Sequence, residues 1–199
     1  FVLVVAPERE AEAAALLPGR IAAVVPGGTH RGASVEAGFR ALESLWAADG
    51  RVTSVEDGKS AYDPVVLVHD GARPLVSPAL VSAIAVAAAE HGAAIPVVPV
   101  SDTLKRLVDG RVGEPVDRAH LVAAQTPQGA RASLFRRAFA TFPAAGASRF
   151  TDEAGLLEAC TIPVHPIPGD PVNLKVTLPA DHPRAEPLSA RPATHRLGL

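Results

Sequence analysis

Short runs of β-branched residues alternate with longer amphipathic stretches along the first half of the chain. Phe1–Val5 and Ile21–Val25 are apolar runs of strand length. The pattern predicts a helix over Glu8–Leu17, ended by Pro18-Gly19, and a second strand closed by Pro26-Gly27-Gly28. Ser34 is placed to cap the next helix, whose Val35, Phe39, Leu42, Leu45 and Trp46 keep to one face. Residues 47–63 are polar and irregular and read as a surface loop. Val65–Val68 then reads as a strand buried on both faces, followed by an alanine-rich helix over about 78–91 that Gly92 ends, and by a strand over Ala93–Val98. This β-α-β-α order predicts an α/β fold with a mainly parallel sheet and helices on both faces.

The second half changes character. Val100–Val108 and Arg111–Val116 are extended segments joined by Asp109-Gly110, a strong hairpin signal. They carry Lys105, Arg106 and Arg111, with Asp117 and Arg118 just beyond, and show little apolar alternation. Such a hairpin has no face of its own to bury, so it is expected to pack on something else, a second copy of the chain being the natural candidate. Helices are predicted at about 131–141 and 152–159, the latter capped by Thr151 with Asp152 and Glu153 in its first turn, and strands at Thr161–Ile167 and Asn173–Thr177. From Pro179 onward the tail is rich in proline, alanine and arginine without periodicity, and is expected to fray. One domain over 1–181, with an arm at about 100–118 and a loose tail at 182–199, is the organisation this implies.

Composition narrows the function. With 199 residues, 48% of them apolar, the chain can bury one good core. A net charge of −2 shows no basic face for nucleic acid. No apolar stretch is long enough to span a bilayer. Cys160 is the only cysteine, which excludes an internal disulfide and points to a reducing, cytoplasmic setting. The chain has no methionine and opens inside a strand, so a further N-terminal segment is expected ahead of Phe1.

The most informative segment is Pro64 to Ala79. His69 and Asp70 follow the buried run directly, then Gly71, Ala72 and Arg73, and Ser77-Pro78 starts a helix. A carboxylate and a guanidinium therefore stand at the carboxyl end of a core strand, where open α/β sheets bind ligands. The carboxylate suits Mg²⁺ and the arginine fork suits phosphate. A strand-end turn with a surface ion pair accounts for the segment equally well. Other motifs fail: Asp57-Gly58-Lys59-Ser60 imitates the end of a Walker A loop, but Thr53 stands where its first glycine belongs. The seven histidines lack metal-ligand spacing, and no G-x-S-x-G elbow occurs.

A constellation carries more than any single piece. Gly27-Gly28-Thr29-His30-Arg31-Gly32-Ala33-Ser34-Val35 gives a glycine turn entering a helix. Val68-His69-Asp70-Gly71-Ala72-Arg73-Pro74, Pro99-Val100-Ser101-Asp102-Thr103-Leu104-Lys105 and Val116-Asp117-Arg118 follow. Gln125-Thr126-Pro127-Gln128-Gly129, Phe150-Thr151-Asp152-Glu153-Ala154 and Gly169-Asp170 with Asn173-Leu174-Lys175-Val176-Thr177 complete the set. In this order and spacing, from Phe1 to about Asp181, the chain resembles the 2-C-methyl-D-erythritol 4-phosphate cytidylyltransferases of the non-mevalonate isoprenoid pathway. It resembles the ribitol-5-phosphate cytidylyltransferases less closely.

The resemblance implies a Rossmann-like nucleotidyltransferase fold with a protruding β-hairpin dimerisation arm, a homodimer built through that arm, and Mg²⁺-dependent cytidylyl transfer from CTP to a polyol phosphate. It places Gly28, Thr29 and Ser34 against the cytosine, with Ala72 also on the nucleotide side; Thr29 departs from the acidic residue common in relatives. Asp70 would bind Mg²⁺, Arg73 would hold the sugar phosphate and Lys175 would reach phosphate. Thr126 and Thr151 would line the acceptor pocket, although a turn and a helix cap explain them as well. Thr103 and Arg118 would complete the partner's site across the dimer; pairing with Asp117 or another surface carboxylate is the plain alternative for Arg118. In the family, a strand and a glycine-rich loop with an arginine and a lysine precede the strand matching Phe1–Val5. That βα portion is expected upstream, and without it the chain is expected not to turn over CTP. A non-catalytic dimerising relative is the alternative from another class.

Overall fold

The computed structural model describes residues 1–16, 19–51, 62–143 and 149–189. They group into two compact units, one formed by Phe1–Val68 and Ala130–Val164, the other by His69–Gly129 and His165–Leu199. Asp57–Ser60 and the tail from residue 190 lie outside the described residues.

In the first unit the β-branched run at the start of the chain forms β1 (Val2–Val5), paired in parallel with β2 (Ala23–Pro26). Between them runs a short 3₁₀ turn at Pro7–Arg9 and α1 (Glu10–Leu16). A long helix follows, α2 (Arg31–Ala48). Its cap is His30 rather than the expected Ser34, because the His30 Nδ1 accepts the Ala33 N–H at 3.2 Å, which starts the helix about one turn earlier. β3 (Val65–Val68) forms as predicted. α4 (Ala132–Thr141) begins where the Asp63 carboxylate accepts from Ser133 N at 2.7 Å and Ser133 Oγ at 2.8 Å. Phe39 of α2 meets Phe135 and Phe139 of α4 at centroid separations of 5.7 and 5.6 Å, and all three rings are buried. This aromatic cluster is the centre of the first core. The last helix of this unit, α5 (Glu153–Ala159), is capped by Asp152, whose Oδ1 accepts from Gly155 N at 2.9 Å. The sequence pattern assigns that role to Thr151; the carboxylate one residue later reaches the third helical N–H instead.

In the second unit Ser77 caps α3 (Pro78–His91), its Oγ accepting from Leu80 N at 3.2 Å, with proline in the first turn. The helix stops at Gly92, whose φ of +90° suits glycine alone. Its Ile84 is fully buried, as are Ala93 and Ala94 of β4 (Ala93–Pro99). The hairpin strands are β5 (Lys105–Val108) and β6 (Arg111–Pro115), shorter than the sequence suggests. Asp109 and Gly110 take φ values of +48° and +74°, the left-handed pair that a two-residue hairpin turn requires. β7 (Val122–Ala124) pairs antiparallel with β4, and β9 (His165–Pro168) pairs parallel with it. β8 (Gln128–Arg131) lies between β7 and α4 in sequence.

Three local expectations are corrected. β9 starts at His165, not Thr161, because Thr161 N and Ile162 N bond back to the end of α5. Asn173–Thr177 is not a strand: Leu174 N turns back to Val172 O at 2.7 Å, and Val176 N bonds once, to Ala72 O at 2.7 Å. The chain after Pro179 is not irregular throughout, since α6 spans His182–Ser189. Ahead of it, Asp181 closes a 3₁₀ turn over Pro179–Asp181 by accepting from Thr177 N and Leu178 N, both at 2.9 Å, and those two donors hold its carboxyl below the usual range.

Candidate active site

The sequence 69–73 leaves β3 as a tight turn in which Arg73 N bonds to Asp70 O at 3.0 Å. That turn belongs to the second unit, and two other segments of the same unit meet it there. From the 125–126 segment comes Thr126, only 4% exposed, whose hydroxyl accepts the Asp70 N–H at 3.0 Å. From the 169–176 segment comes Lys175, whose Nζ lies 3.0 Å from Asp70 Oδ2. The lysine is about half exposed while the Asp70 side chain is 16% exposed, so the pair opens to solvent on its cationic side.

Arg73 reaches the same segment through Nη1, which donates to Asn173 O at 2.7 Å. Burial lowers its pKa and the charge of Asp70 opposes that, but a guanidinium stays protonated at any ordinary pH. Asn173 is fully buried, and its Nδ2 donates to Thr126 O at 2.8 Å. His69 closes the group: its Nδ1 lies 3.1 Å from Thr126 Oγ1 and its Nε2 lies 3.1 Å from Arg73 O. The 169–176 segment is itself tied down by Gln125, whose Nε2 donates to Asp170 O at 2.9 Å while its Oε1 accepts from Asp170 N at 3.1 Å. Gly169 lets this happen, because a Cβ there would sit 2.7 Å from Gln125 Oε1.

Asp70, Ala72, Arg73, Thr126 and Lys175 are thus gathered at one corner, with two cations beside one carboxylate. Such a cluster can receive an anion through Arg73 and Lys175 while keeping a carboxylate oxygen close by. The sequence reading gives no role to His69, Asn173, Gln125 or Asp170. All four lie inside the quoted motifs, and proximity to charged neighbours is the available signal.

The remaining residues lie elsewhere. In the first unit, Gly28 N donates to Ser34 Oγ at 3.1 Å, and that hydroxyl donates to His30 O at 3.1 Å. A Cβ on Gly28 would stand 2.4 Å from the Ala33 Cβ, so the turn demands glycine. Thr29 and Thr151 are exposed. In the same unit, Arg31 forms a two-pronged ion pair with Glu153, which is 3% exposed. Burial raises the Glu153 pKa and Arg31 pulls it back down. Thr103 and Arg118 sit on the exposed arm region; Arg118 donates to the carbonyls of Val100 and Ser101, while Asp117 Oδ1 is turned to Ala119 N at 2.9 Å. The alternative pairing of Arg118 with Asp117 is therefore not the one adopted. Among the described residues, no helix is long and apolar enough to cross a membrane.

Solved structures place this fold in a class. The fold superposes on the crystal structure of 2-C-methyl-D-erythritol 4-phosphate cytidylyltransferase from Thermus thermophilus with a TM-score of 0.73 at 33% identity, covering 96% of this chain and 81% of that one. A structure of 4-diphosphocytidyl-2C-methyl-D-erythritol synthase matches with a TM-score of 0.74 at 31% identity, covering 94% and 81%. The fold is that of the α/β cytidylyltransferases. Among curated proteins, the 2-C-methyl-D-erythritol 4-phosphate cytidylyltransferase of Frankia casuarinae is 43% identical over 96% of this chain. The bifunctional enzyme IspD/IspF of Anaeromyxobacter dehalogenans is 42% identical over 90% of it. The family profile for 2-C-methyl-D-erythritol 4-phosphate cytidylyltransferase (IspD) matches residues 1–190, and the chain belongs to that family. It spans 64% of the Frankia protein and 48% of the Anaeromyxobacter protein.

Proposed function

We propose that the protein transfers a cytidylyl group from CTP to 2-C-methyl-D-erythritol 4-phosphate. A phosphate oxygen of the acceptor attacks the α-phosphorus of CTP, the bond to the β-phosphate oxygen breaks, and pyrophosphate leaves. The observation that carries this reading is the Asp70–Arg73–Lys175 corner in a chain of this family. Both reactants are anions, so the protein's work is to offset charge and hold the two groups in line. No covalent nucleophile is needed.

In this reading Arg73 receives the acceptor phosphate and Lys175 the phosphates of the bond being exchanged. Gly28, Thr29 and Ser34 meet the cytosine, Ala72 borders the nucleotide, and Thr126 and Thr151 border the acceptor. Thr103 and Arg118 serve the site of a second copy, in a homodimer joined by the arm. A divalent cation such as Mg²⁺ fits the donor set in one way. Among the described residues no group of three or more His, Cys, Asp or Glu could hold a metal, so Asp70 would supply one carboxylate and the substrate phosphates most other ligands. When bound, the cation would offset charge on those phosphates.

Pyrophosphate release by the full-length protein, measured with CTP and either 2-C-methyl-D-erythritol 4-phosphate or ribitol 5-phosphate, tests this. Turnover with the erythritol acceptor is expected. Turnover with neither overturns the activity, and preference for ribitol 5-phosphate overturns the acceptor.

A further inference from the structure

The hydrogen bonds at the corner form a closed ring, and with a neutral His69 imidazole the ring has only one consistent direction. Starting from Arg73, its carbonyl oxygen can only accept, so the His69 Nε2 facing it at 3.1 Å must carry a proton. In a neutral imidazole the other nitrogen is then bare. Thr126 Oγ1, 3.1 Å from that bare Nδ1, must donate to it. The same oxygen accepts the Asp70 N–H at 3.0 Å. The Thr126 carbonyl accepts from Asn173 Nδ2 at 2.8 Å, and the Asn173 carbonyl accepts from Arg73 Nη1 at 2.7 Å, which returns to the start. Every bond has one donor and one acceptor, and the only hydroxyl proton in the ring is spoken for.

From this geometry we infer that His69, held in the Nε2–H tautomer, is a positioning residue for Asp70 and Arg73. Its Nδ1 accepts the hydrogen bond of the Thr126 hydroxyl, which turns an oxygen lone pair toward the Asp70 N–H, and its Nε2–H fixes the Arg73 carbonyl at the other end of the turn. The role of Thr126 changes with it. With its proton directed to His69, the hydroxyl offers no donor to an incoming phosphate. Thr126 then serves the site through Asp70 rather than by binding the anion. Oriented partners of this kind around a ligand-binding group are typically worth about 10- to 100-fold in activity. The inference rests on the proposed reaction for its kinetic consequence, and on the ring alone for its tautomer.

The test uses the full-length protein with labelled histidine, the His69 signals being assigned by their loss in His69→Gln. Nitrogen NMR is expected to show a protonated Nε2 and a bare Nδ1; a protonated Nδ1 with a bare Nε2 overturns the inference. His69 is exposed, so its variants are expected to keep the fold. His69→Phe removes both bonds and is expected to lower kcat about 10- to 100-fold with little change in the KM for CTP. His69→Asn, whose amide oxygen can stand in for Nδ1, should recover much of that loss. Thr126→Val should match His69→Phe, and the double variant should be no worse than the poorer single. Losses that multiply would show that the two residues act separately, against the inference. If the wild-type protein turns over neither acceptor, the proposed function fails, and the ring is read from the Asp70 amide resonance instead. That resonance must move in both His69→Phe and Thr126→Val; an unmoved signal in His69→Phe overturns the inference.

Discussion

The corner built from residues 69–73, 125–126 and 169–176 and the hairpin of β5 and β6 belong to the same compact unit, yet they are made in opposite ways. At the corner, short polar side chains are buried and joined: Thr126 is 4% exposed, Asn173 is fully buried, and three chain segments share one ring of hydrogen bonds. The hairpin has a regular two-residue turn and a ladder whose register shifts between Lys105 and Leu107, and its apolar residues stay open to solvent. Leu107 and Val112 face each other across it at 75% and 74% exposure, and Val108 beside them is 56% exposed. Exposed apolar side chains scattered singly are ordinary, but the cross-strand pair Leu107 and Val112 is the apolar surface that the proposed homodimer would cover. The corner is ordered by its own chain; the arm is the part of the design that a second copy would complete.

The largest effect should come from spoiling the arm. Leu107→Asp with Val112→Asp brings carboxylates from both copies into one apolar seam, at a cost of several kcal/mol for like charges facing one another. Light scattering coupled to gel filtration should give twice the chain mass for the wild type and the single-chain mass for the double variant. A wild-type monomer at micromolar concentration would end the dimer proposal.

Next in size is the corner's carboxylate. Asp70→Asn keeps the shape and removes the charge, and turnover should fall at least ~100-fold, the scale of losing one well-placed electrostatic group. The dimer should remain intact by the same light-scattering measurement. Near-normal turnover would move the metal-binding role to another residue.

The comparison is sharpened by asking what each region gives to stability. Asn173→Ala leaves the Thr126 carbonyl buried without its donor, which should cost about 1–3 kcal/mol in urea unfolding. Leu107→Ser, measured where the protein is monomeric, should stay within about 0.5 kcal/mol of the wild type. Equal losses at the two positions would contradict the contrast between them.

How much of this is legible in the sequence follows the same contrast. Apolar periodicity locates β1, β3, α3, β4 and α4, because burial of those runs is a local property of the chain. The hairpin turn is equally legible, since Asp109-Gly110 is chosen by backbone geometry. Caps are less so: His30 and Asp152 each take a place expected for a neighbouring hydroxyl, and the side chain that reaches the free N–H is decided in three dimensions. Least legible is the 173–177 segment. Its alternation resembles a strand, but its backbone is held by Arg73, Ala72 and Asp170, partners distant in sequence or hidden in a turn. Asp70, Arg73 and Lys175 stand out through their motifs; His69 and Asn173, which hold the first two in place, carry no signature of their own.

The central claim is that corner and arm make one site from two chains, and mixing two damaged proteins tests it most directly. Arg118→Ala and Asp70→Ala homodimers of the full-length protein should each be inactive. If Arg118 serves its partner's corner, a mixed dimer holds one site with both lesions and one with neither, and should recover up to about half of the wild-type activity per dimer. No recovery on mixing, with subunit exchange verified, would contradict the account.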